Sequence, residues 1–209
     1  MITPDVLIPR PETELLVEKA LDWLSAKRDC CSVIDSGTGS GCIAIALATN
    51  NTKVSVIACD WSTLALNIAR KNVEIFNLKD RIELVLCDLF PPISNDKHNS
   101  NCLSNSGQAD MLVANLPYIP SADLWHLKIY GREPRMALDG GIDGLELIRR
   151  YLDQAPMYIK PNGLILMEIE ASQGTSVLTL ANEKFPGADI HIHPDLSGRD
   201  RLLEIEVRA

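Results

Sequence analysis

Residues 33–44 read VIDSGTGSGCIA, so an apolar run leads through the alternating glycines Gly37, Gly39 and Gly41 into a second apolar run. The first run has the character of a buried strand, and the small apolar residues after Gly41 favour a helix. Glycines let the backbone turn sharply and approach a ligand closely, while a helix N-terminus presents free N–H donors. The stretch therefore predicts a strand–loop–helix unit of the nucleotide-binding kind, although a tight turn without any ligand would use the same residues.

Acidic residues stand at the ends of the predicted strands around this loop. Asp35 closes the first strand, Asp60 closes the next apolar run and Asp88 follows the third. The carboxyl ends of parallel strands meet at one edge of a sheet, so we expect the three carboxylates to face one crevice. There Asp60 would accept hydrogen bonds from ribose hydroxyls and Asp88 from an adenine amino group. As an alternative, two of the three would be ordinary helix N-caps.

Strands separated by helices run along most of the chain and predict an α/β fold with a parallel, doubly wound sheet. The last two strands follow each other across a short polar stretch, which favours a hairpin at the sheet edge. We expect a turn at 161–163, directly before the fifth strand. The predicted strands are Ser32–Asp35, Val54–Asp60, Ile82–Cys87, Met111–Ala114, Leu164–Ile169, Ile190–His193 and Leu202–Val207. The predicted helices are Glu12–Lys27, Cys42–Thr49, Thr63–Phe76, Asp143–Ile159 and Gln173–Phe185.

The composition is that of an ordinary globular protein, with 209 residues, 46% of them hydrophobic, and a net charge of −8. We expect one domain over residues 1–209, with a polar surface insertion at about 94–108. The acidic charge argues against direct nucleic-acid binding, which favours a basic surface.

None of the six cysteines forms a CxxC pair and no Cys/His spacing fits a metal, so we predict no metal site. Since no apolar leader or membrane-length run occurs, we expect a cytoplasmic protein.

The fourth predicted strand ends in Asn115-Leu116-Pro117-Tyr118. Pro117 stiffens the backbone, so the Asn115 carboxamide and the Leu116 carbonyl can be aimed at one point. Two fixed acceptors can hold both hydrogens of a planar NH2 group, orient its nitrogen toward an electrophilic methyl group and stabilise the developing positive charge. Tyr118 can stack on the planar group. If accepting a hydrogen bond is the main task of Asn115, aspartate there should retain more activity than alanine; a strand-terminating turn is the structural alternative.

Four segments of the chain resemble the HemK/PrmC family, the release factor glutamine N5-methyltransferases. They are Leu7–Glu14 (LIPRPETE), Asp35–Ala44 (DSGTGSGCIA), Glu133–Gly141 (EPRMALDGG) and Leu196–Arg201 (LSGRDR). The glycine loop is shared by many methyltransferases, whereas the Arg-Pro-Glu-Thr-Glu and Glu-Pro-Arg-x-Ala-Leu segments are much more specific. Residues 10–14 would either only begin the first helix or also wall a substrate pocket near Asn115.

The resemblance implies a Rossmann-like class I methyltransferase fold, with a seven-stranded, mostly parallel sheet and a reversed last strand. It implies S-adenosylmethionine as the cofactor, which becomes S-adenosylhomocysteine, and a peptide chain release factor as the protein partner, modified at the glutamine of its Gly-Gly-Gln loop. The implied cofactor-binding residues are Gly37, Thr38, Gly39, Ser40, Gly41, Asp60, Asp88, Leu89 and Asn115. The implied substrate-binding residues are Asn115, Leu116, Pro117 and Tyr118, of which Asn115, Pro117 and Tyr118 are the catalytic candidates.

Two features depart from the family pattern. Leu116 stands where the family usually has proline, and we expect the helical N-terminal domain of the family to be absent from this chain. Because Asn-Leu-Pro-Tyr resembles the form found in rRNA adenine N6-dimethyltransferases, the alternative function is adenine N6 methylation of rRNA or DNA. Two further alternatives are a release-factor-binding protein without activity and a nucleotide-linked oxidoreductase, which the glycine spacing disfavours.

Overall fold

A computed structural model describes residues 1–92, 107–126, 131 and 133–208 of the chain. The α-helices in those ranges are α1 (Thr13–Ser25), α2 (Cys42–Asn50), α3 (Thr63–Ile75), α4 (Glu146–Tyr158) and α5 (Gly174–Lys184). The strands there are β1 (Cys31–Ser36), β2 (Val54–Asp60), β3 (Ile82–Leu86), β4 (Ala109–Ala114), β5 (Ile159–Glu168), β6 (Asp189–Pro194) and β7 (Asp200–Glu206). Short 3-10 helices lie in the loops at Leu124–His126, Arg135–Ala137 and Ala171–Gln173.

The seven strands form one sheet in the order β3-β2-β1-β4-β5-β7-β6. The pairs β2–β3, β1–β2, β1–β4 and β4–β5 are parallel, while β7 runs antiparallel to both β5 and β6. The expectation of a mostly parallel, seven-stranded sheet with a reversed last strand is therefore confirmed. The strands β1, β2 and β3 follow one another toward one edge of the sheet, and β4 then lies on the other side of β1. This reversal of strand order leaves a crevice at the carboxyl edge.

β1 lies near the centre of the sheet, and all six of its residues are buried because helices cover both faces. Successive side chains alternate between the faces: Val33 packs with residues of α1 and α2, while Ile34 packs with residues of α4 and α5. One apolar core forms on each side of the sheet. Together the two cores fix the positions from which the loops at the carboxyl edge begin.

The fifth strand differs from its predicted extent. We expect a turn at 161–163 before a strand from Leu164, but β5 already begins at Ile159. Its pairing with β4 jumps from Ile159 opposite Ala109 to Leu164 opposite Met111. Pro161 has no N–H to give to the sheet and Asn162 adopts a φ of 60°, so the turn residues make a bulge inside the strand.

The described residues cover only part of the expected polar insertion. Residues 94–106 of the expected polar insertion lie outside the described residues, and the single domain over residues 1–209 stays a prediction. Over the described ranges, no helix has both the length and the apolar character needed to cross a membrane. In the same ranges, no group of three or more His, Cys, Asp or Glu side chains is placed to hold a metal ion.

Candidate active site

A pocket opens at the carboxyl edge of the sheet, where the strand order reverses. Open α/β sheets bind their ligands at such a point. Of the residues predicted to form the site, Gly41 and Tyr118 do not line this pocket. Those that do are Gly37, Thr38, Gly39, Ser40, Asp60, Asp88, Leu89, Asn115, Leu116 and Pro117. The structure thus brings residues from four separate segments of the chain to one cavity.

The glycine loop is held by a hydrogen bond to the buried side chain of Asp35. Thr38 donates its backbone N–H to the carbonyl of Cys59 at 2.8 Å and its hydroxyl to Oδ2 of Asp35 at 2.6 Å. Asp35 is fully buried under the loop, and this burial raises its pKa to about 6. The expectation that three carboxylates face one crevice is therefore wrong for Asp35, because its side chain holds the loop and does not reach the pocket.

Gly41 is explained by its backbone conformation. It is the N-cap of α2 with a φ of 81°, a left-handed conformation that favours glycine. A Cβ at this position would lie 3.4 Å from the Cβ of Ala69, which is an ordinary contact distance, so the backbone conformation is what favours glycine here. A direct contact between Gly41 and a cofactor stays a prediction.

Asp60 connects the glycine loop to the pocket. Its Oδ2 accepts from the N–H of Gly39 and its Oδ1 from the N–H of Ser62, both at 2.9 Å. Ser62 caps α3 by accepting from the N–H of Ala65, so the alternative that Asp60 is an ordinary N-cap is wrong. Burial raises the pKa of Asp60. A carboxylate offers about four acceptor sites, so about two remain for the hydroxyl groups of a ligand.

Asp88, which also lines the pocket, lies in the turn after β3. It forms an ion pair with Arg150 of α4, and its side chain is 54% exposed. The next residue, Leu89, is buried with a φ of 66°, which non-glycine residues adopt only rarely. Such a conformation persists where the surroundings fix it, often at ligand sites. The Asp88–Leu89 turn is therefore a second element that can contact a ligand.

The carboxamide of Asn115 is fixed by two buried side chains. Its Nδ2 donates to Oγ1 of Thr13 at 3.1 Å and to Oε2 of Glu168 at 2.9 Å. The hydroxyl of Thr13 donates to the same oxygen of Glu168 at 2.6 Å. Nδ2 thus donates toward two acceptors that lie only 2.6 Å apart, while Oδ1 accepts from none of the described residues and keeps its acceptor capacity for the pocket.

Glu168 is a site residue that no sequence motif indicates, whereas Thr13 lies in the family-like segment Leu7–Glu14. Thr13 is 5% exposed and Glu168 is 2% exposed, and burial raises the pKa of the Glu168 carboxyl. One signal could have identified Glu168: it is the single acid in the predicted strand Leu164–Ile169. A lone acid at the carboxyl end of a parallel strand points toward the edge where such folds bind ligands.

Tyr118 is held behind the pocket. Its hydroxyl donates to Oε1 of Glu168 at 3.3 Å, and its backbone carbonyl accepts from Nε2 of Gln173 at 3.0 Å. Gly140 packs so closely that a Cβ there would lie 2.8 Å from the Cα of Tyr118. The family-like segment Glu133–Gly141 therefore packs against the Asn115–Tyr118 turn on the side away from the pocket. Stacking of Tyr118 on a substrate stays a prediction.

The two most specific family-like segments meet in an ion pair. One guanidinium nitrogen of Arg10 contacts both carboxylate oxygens of Glu133, at 2.8 and 2.7 Å. Neighbours of each partner line the pocket, including Pro9 on one side and Met136 on the other. Residues 10–14 thus lie at the same edge of the sheet as Gly39. The hypothesis that they only begin the first helix is wrong, because Thr13 contacts Asn115 directly.

We expect Arg10→Ala to destabilise the fold and weaken ligand binding. Glu133 is only 2% exposed at its side chain, so removal of its partner leaves a buried carboxylate without its charge-assisted hydrogen bonds, at a cost of roughly 1.5–3 kcal/mol. Urea unfolding measures this change. Arg135→Ala is the matched control, because its ion pair with Asp139 is exposed and contributes only about 0–1 kcal/mol. Equal losses in the two variants would contradict the assigned role of Arg10.

Comparison with known proteins identifies the family. The family model for the ribosomal protein L11 methyltransferase (PrmA) matches residues 11–119. The release factor glutamine methyltransferase of Moorella thermoacetica is 40% identical over 206 residues, which are 97% of this chain and 68% of that protein. The enzyme of the same name from Thermosynechococcus vestitus is 38% identical over 205 residues, which are 97% of this chain and 67% of that protein.

A solved structure agrees with these relatives. It is the release-factor-specific protein-(glutamine-N5) methyltransferase from Alicyclobacillus acidocaldarius, which is 26% identical with a TM-score of 0.59. The similarity covers 100% of this chain and 99% of that one. This chain spans about two thirds of the length of the two sequence relatives, and over that span it belongs to the release factor glutamine methyltransferase family.

Proposed function

We propose that this chain transfers a methyl group from S-adenosylmethionine to the side-chain amide nitrogen of the glutamine in the Gly-Gly-Gln loop of peptide chain release factors. The observation that carries the proposal is the fixed carboxamide of Asn115 beside a pocket lined by the glycine loop and Asp60. Two relatives that are 38% and 40% identical to this chain bear the name release factor glutamine methyltransferase. A cytoplasmic location follows from the proposal, since the protein partner acts in translation.

The residues of the pocket fit the proposed cofactor. Asp60 keeps free acceptor sites for ribose hydroxyls, and the loop from Gly37 to Ser40 would contact the amino-acid end. Asp88 and Leu89 would contact the adenine, and the half-exposed ring of Trp61 adds an apolar wall. When bound there, S-adenosylmethionine supplies an electrophilic methyl group.

The residues at the end of β4 would then position the substrate amide. The Oδ1 of Asn115 accepts one hydrogen of the substrate NH2 group and the carbonyl of Leu116 accepts the other. Both acceptors are fixed before the substrate arrives, so they stabilise the positive charge on nitrogen without reorganisation. Methyl transfer leaves the amide nitrogen positively charged and far more acidic than in the neutral amide, so it then loses a proton to water and no strong base is required. Glu168 already accepts three hydrogen bonds and serves as a scaffold.

Adenine N6 methylation is the second candidate because Leu116 matches the Asn-Leu-Pro-Tyr form. Mass spectrometry separates the two functions: purified release factor and rRNA are each incubated with the protein and S-adenosylmethionine. We expect one methyl group on the glutamine of the Gly-Gly-Gln peptide and none on rRNA adenines. Methylated adenine with an unmodified release factor would instead establish the second candidate. Methylation of neither, with the cofactor bound, would point to a binding protein without activity.

We expect Leu116→Pro to leave release factor methylation equal to the unmodified protein or higher. The change restores the usual residue of the family and stiffens the backbone whose carbonyl is the second acceptor. Leu116 is buried, so exchange of its side chain for the smaller proline ring removes some packing and offsets part of the gain. Steady-state kinetics with release factor measure the change. Loss of glutamine methylation with a gain on rRNA would count against the proposed substrate.

A further inference from the structure

We propose that Glu168 is a positioning residue that decides which end of the Asn115 carboxamide faces the substrate, and so selects an NH2 group over an oxygen acceptor. The inference rests on the proposed function, because it concerns how that site distinguishes an amide from a carboxylate. Glu168 touches neither cofactor nor substrate in this scheme. It acts through Asn115.

The first support is the convergence of three donors on one buried carboxylate. Thr13 of α1 and Asn115 at the end of β4 both donate to Oε2 of Glu168, and Tyr118 donates to Oε1. The donors come from two segments of the chain: Thr13 is 155 positions from Glu168, and Asn115 and Tyr118 of the turn after β4 are 53 and 50 positions from it. Glu168 is only 2% exposed, so water does not replace these partners. A carboxylate that is ionised can only accept hydrogen bonds, and this fixes the direction of all three.

The second support is that the directions of the hydrogen bonds to Glu168 permit only one orientation of the Asn115 carboxamide. The single hydroxyl hydrogen of Thr13 is committed to Glu168 at 2.6 Å, so its oxygen must be the acceptor for Asn115. Turning the carboxamide over would place Oδ1 against two acceptors, at the 2.9 and 3.1 Å now spanned by Nδ2. Two acceptors at such distances repel and leave a buried group without a donor. Among the described residues no donor occupies Oδ1, and Asn115 lines the pocket.

The consequence is a preference for the chemical group that is methylated. An acceptor at the pocket binds the N–H of a glutamine amide and disfavours the oxygens of a glutamate carboxylate. With the carboxamide reversed, Nδ2 would face the pocket and this preference would be lost. Discrimination built from unpaired polar groups is strong because each mismatch leaves a buried partner unsatisfied. Glu168 would therefore contribute to selectivity without contacting the substrate.

The test is Glu168→Gln, which keeps the shape of the side chain but lets it donate as well as accept. We expect kcat for release factor methylation to fall by on the order of tenfold to a hundredfold, because misplacement of a positioning group has effects of this size. Cofactor affinity by calorimetry should stay unchanged. Glu170→Gln is the matched control, since this acid follows the same strand but caps the turn at Ser172, and its kcat should match the unmodified protein.

A double variant separates positioning from a general structural role. If Glu168 acts through Asn115, Glu168→Gln combined with Asn115→Ala should be no slower than Asn115→Ala alone. Multiplied losses would overturn the inference. A second readout needs no activity: in nitrogen-edited NMR spectra, Glu168→Gln should shift the side-chain NH2 signal of Asn115, whereas Glu170→Gln should not. An unshifted signal would likewise overturn it.

Thr13→Val tests the same network if Glu168→Gln does not fold. Valine keeps the size of threonine but removes the hydroxyl that links Asn115 to Glu168, so we expect a severalfold loss of kcat and a shift of the same NH2 signal. Unchanged kcat in Thr13→Val would contradict the inference. The proposed function is judged separately by the unmodified protein: if that protein does not methylate release factor, the function fails, whereas an active protein with an active Glu168→Gln variant rejects only the role of Glu168.

Discussion

Replacing Asn115 by alanine is expected to lower kcat for glutamine methylation by about 10²–10³, the range found when one preorganised polar partner is removed. The variant loses the acceptor that holds the substrate NH2 group. It also leaves Thr13 and Glu168, both buried, without the donor that Nδ2 supplies. Cofactor affinity should change much less, because the glycine loop and Asp60 lie on other segments. Single-turnover kinetics with saturating cofactor, together with calorimetry, measure the two effects.

The aspartate variant provides the control for this prediction. The sequence alone suggests that Asn115→Asp retains more activity than alanine, since an acceptor is kept. The structure reverses this expectation, because the second carboxylate would lie beside Glu168, at the 2.9 Å position where Nδ2 now donates. Two ionised carboxylates at that distance repel, so the variant must either bear this repulsion or hold an extra proton at the site. We therefore expect the aspartate variant to have a kcat no higher than that of the alanine variant. A kcat of the alanine variant equal to that of the unmodified protein would refute the mechanism in which Asn115 holds the substrate NH2 group.

The strands were predictable where local signals were sufficient. β2 has the predicted bounds Val54–Asp60, because an apolar run between polar residues has few other solutions in a sheet that is covered on both faces. The start of β5 was not predictable from Pro161 and Asn162. These residues signal a turn, and only the pairing with β4 shows that the chain continues as a strand past a bulge. Turn residues determine a local bend, while the neighbouring strand determines whether the sheet continues.

The site was predictable only where it follows from strand ends. Asp60 is the last residue of β2 and Asn115 directly follows β4, so both lie at the carboxyl edge of the sheet. The pairing of Thr13 and Glu168, the two partners of Asn115, was not predictable in this way. They are 155 positions apart, and no sequence periodicity links the start of a helix to the end of β5. Asp35 shows the opposite limit. Its position resembles that of Asp60, yet the loop folds over it and buries it completely.

Replacing Asp60 by alanine is expected to weaken S-adenosylmethionine binding by about 10²–10⁴-fold. Charge-assisted hydrogen bonds contribute about 1.5–3 kcal/mol each, and about 1.4 kcal/mol corresponds to tenfold in affinity. The variant would lose the acceptors for two ribose hydroxyls. It would also release the N–H of Gly39, which Oδ2 now holds at 2.9 Å, so the loop that contacts the other end of the cofactor would be less well fixed.

Calorimetric titration of S-adenosylmethionine and of S-adenosylhomocysteine measures this loss. Both should weaken alike, because the methyl group plays no part in the contacts of Asp60. Asp60→Asn should fall between alanine and the unmodified protein, since an amide keeps one acceptor oxygen but loses the charge. Asp153→Ala is the control: it removes an exposed acid that pairs with Lys184 on the helical surface, and it should bind normally. If Asp60→Ala, still folded, bound both ligands as tightly as the control, the assignment of this pocket to the cofactor would be wrong.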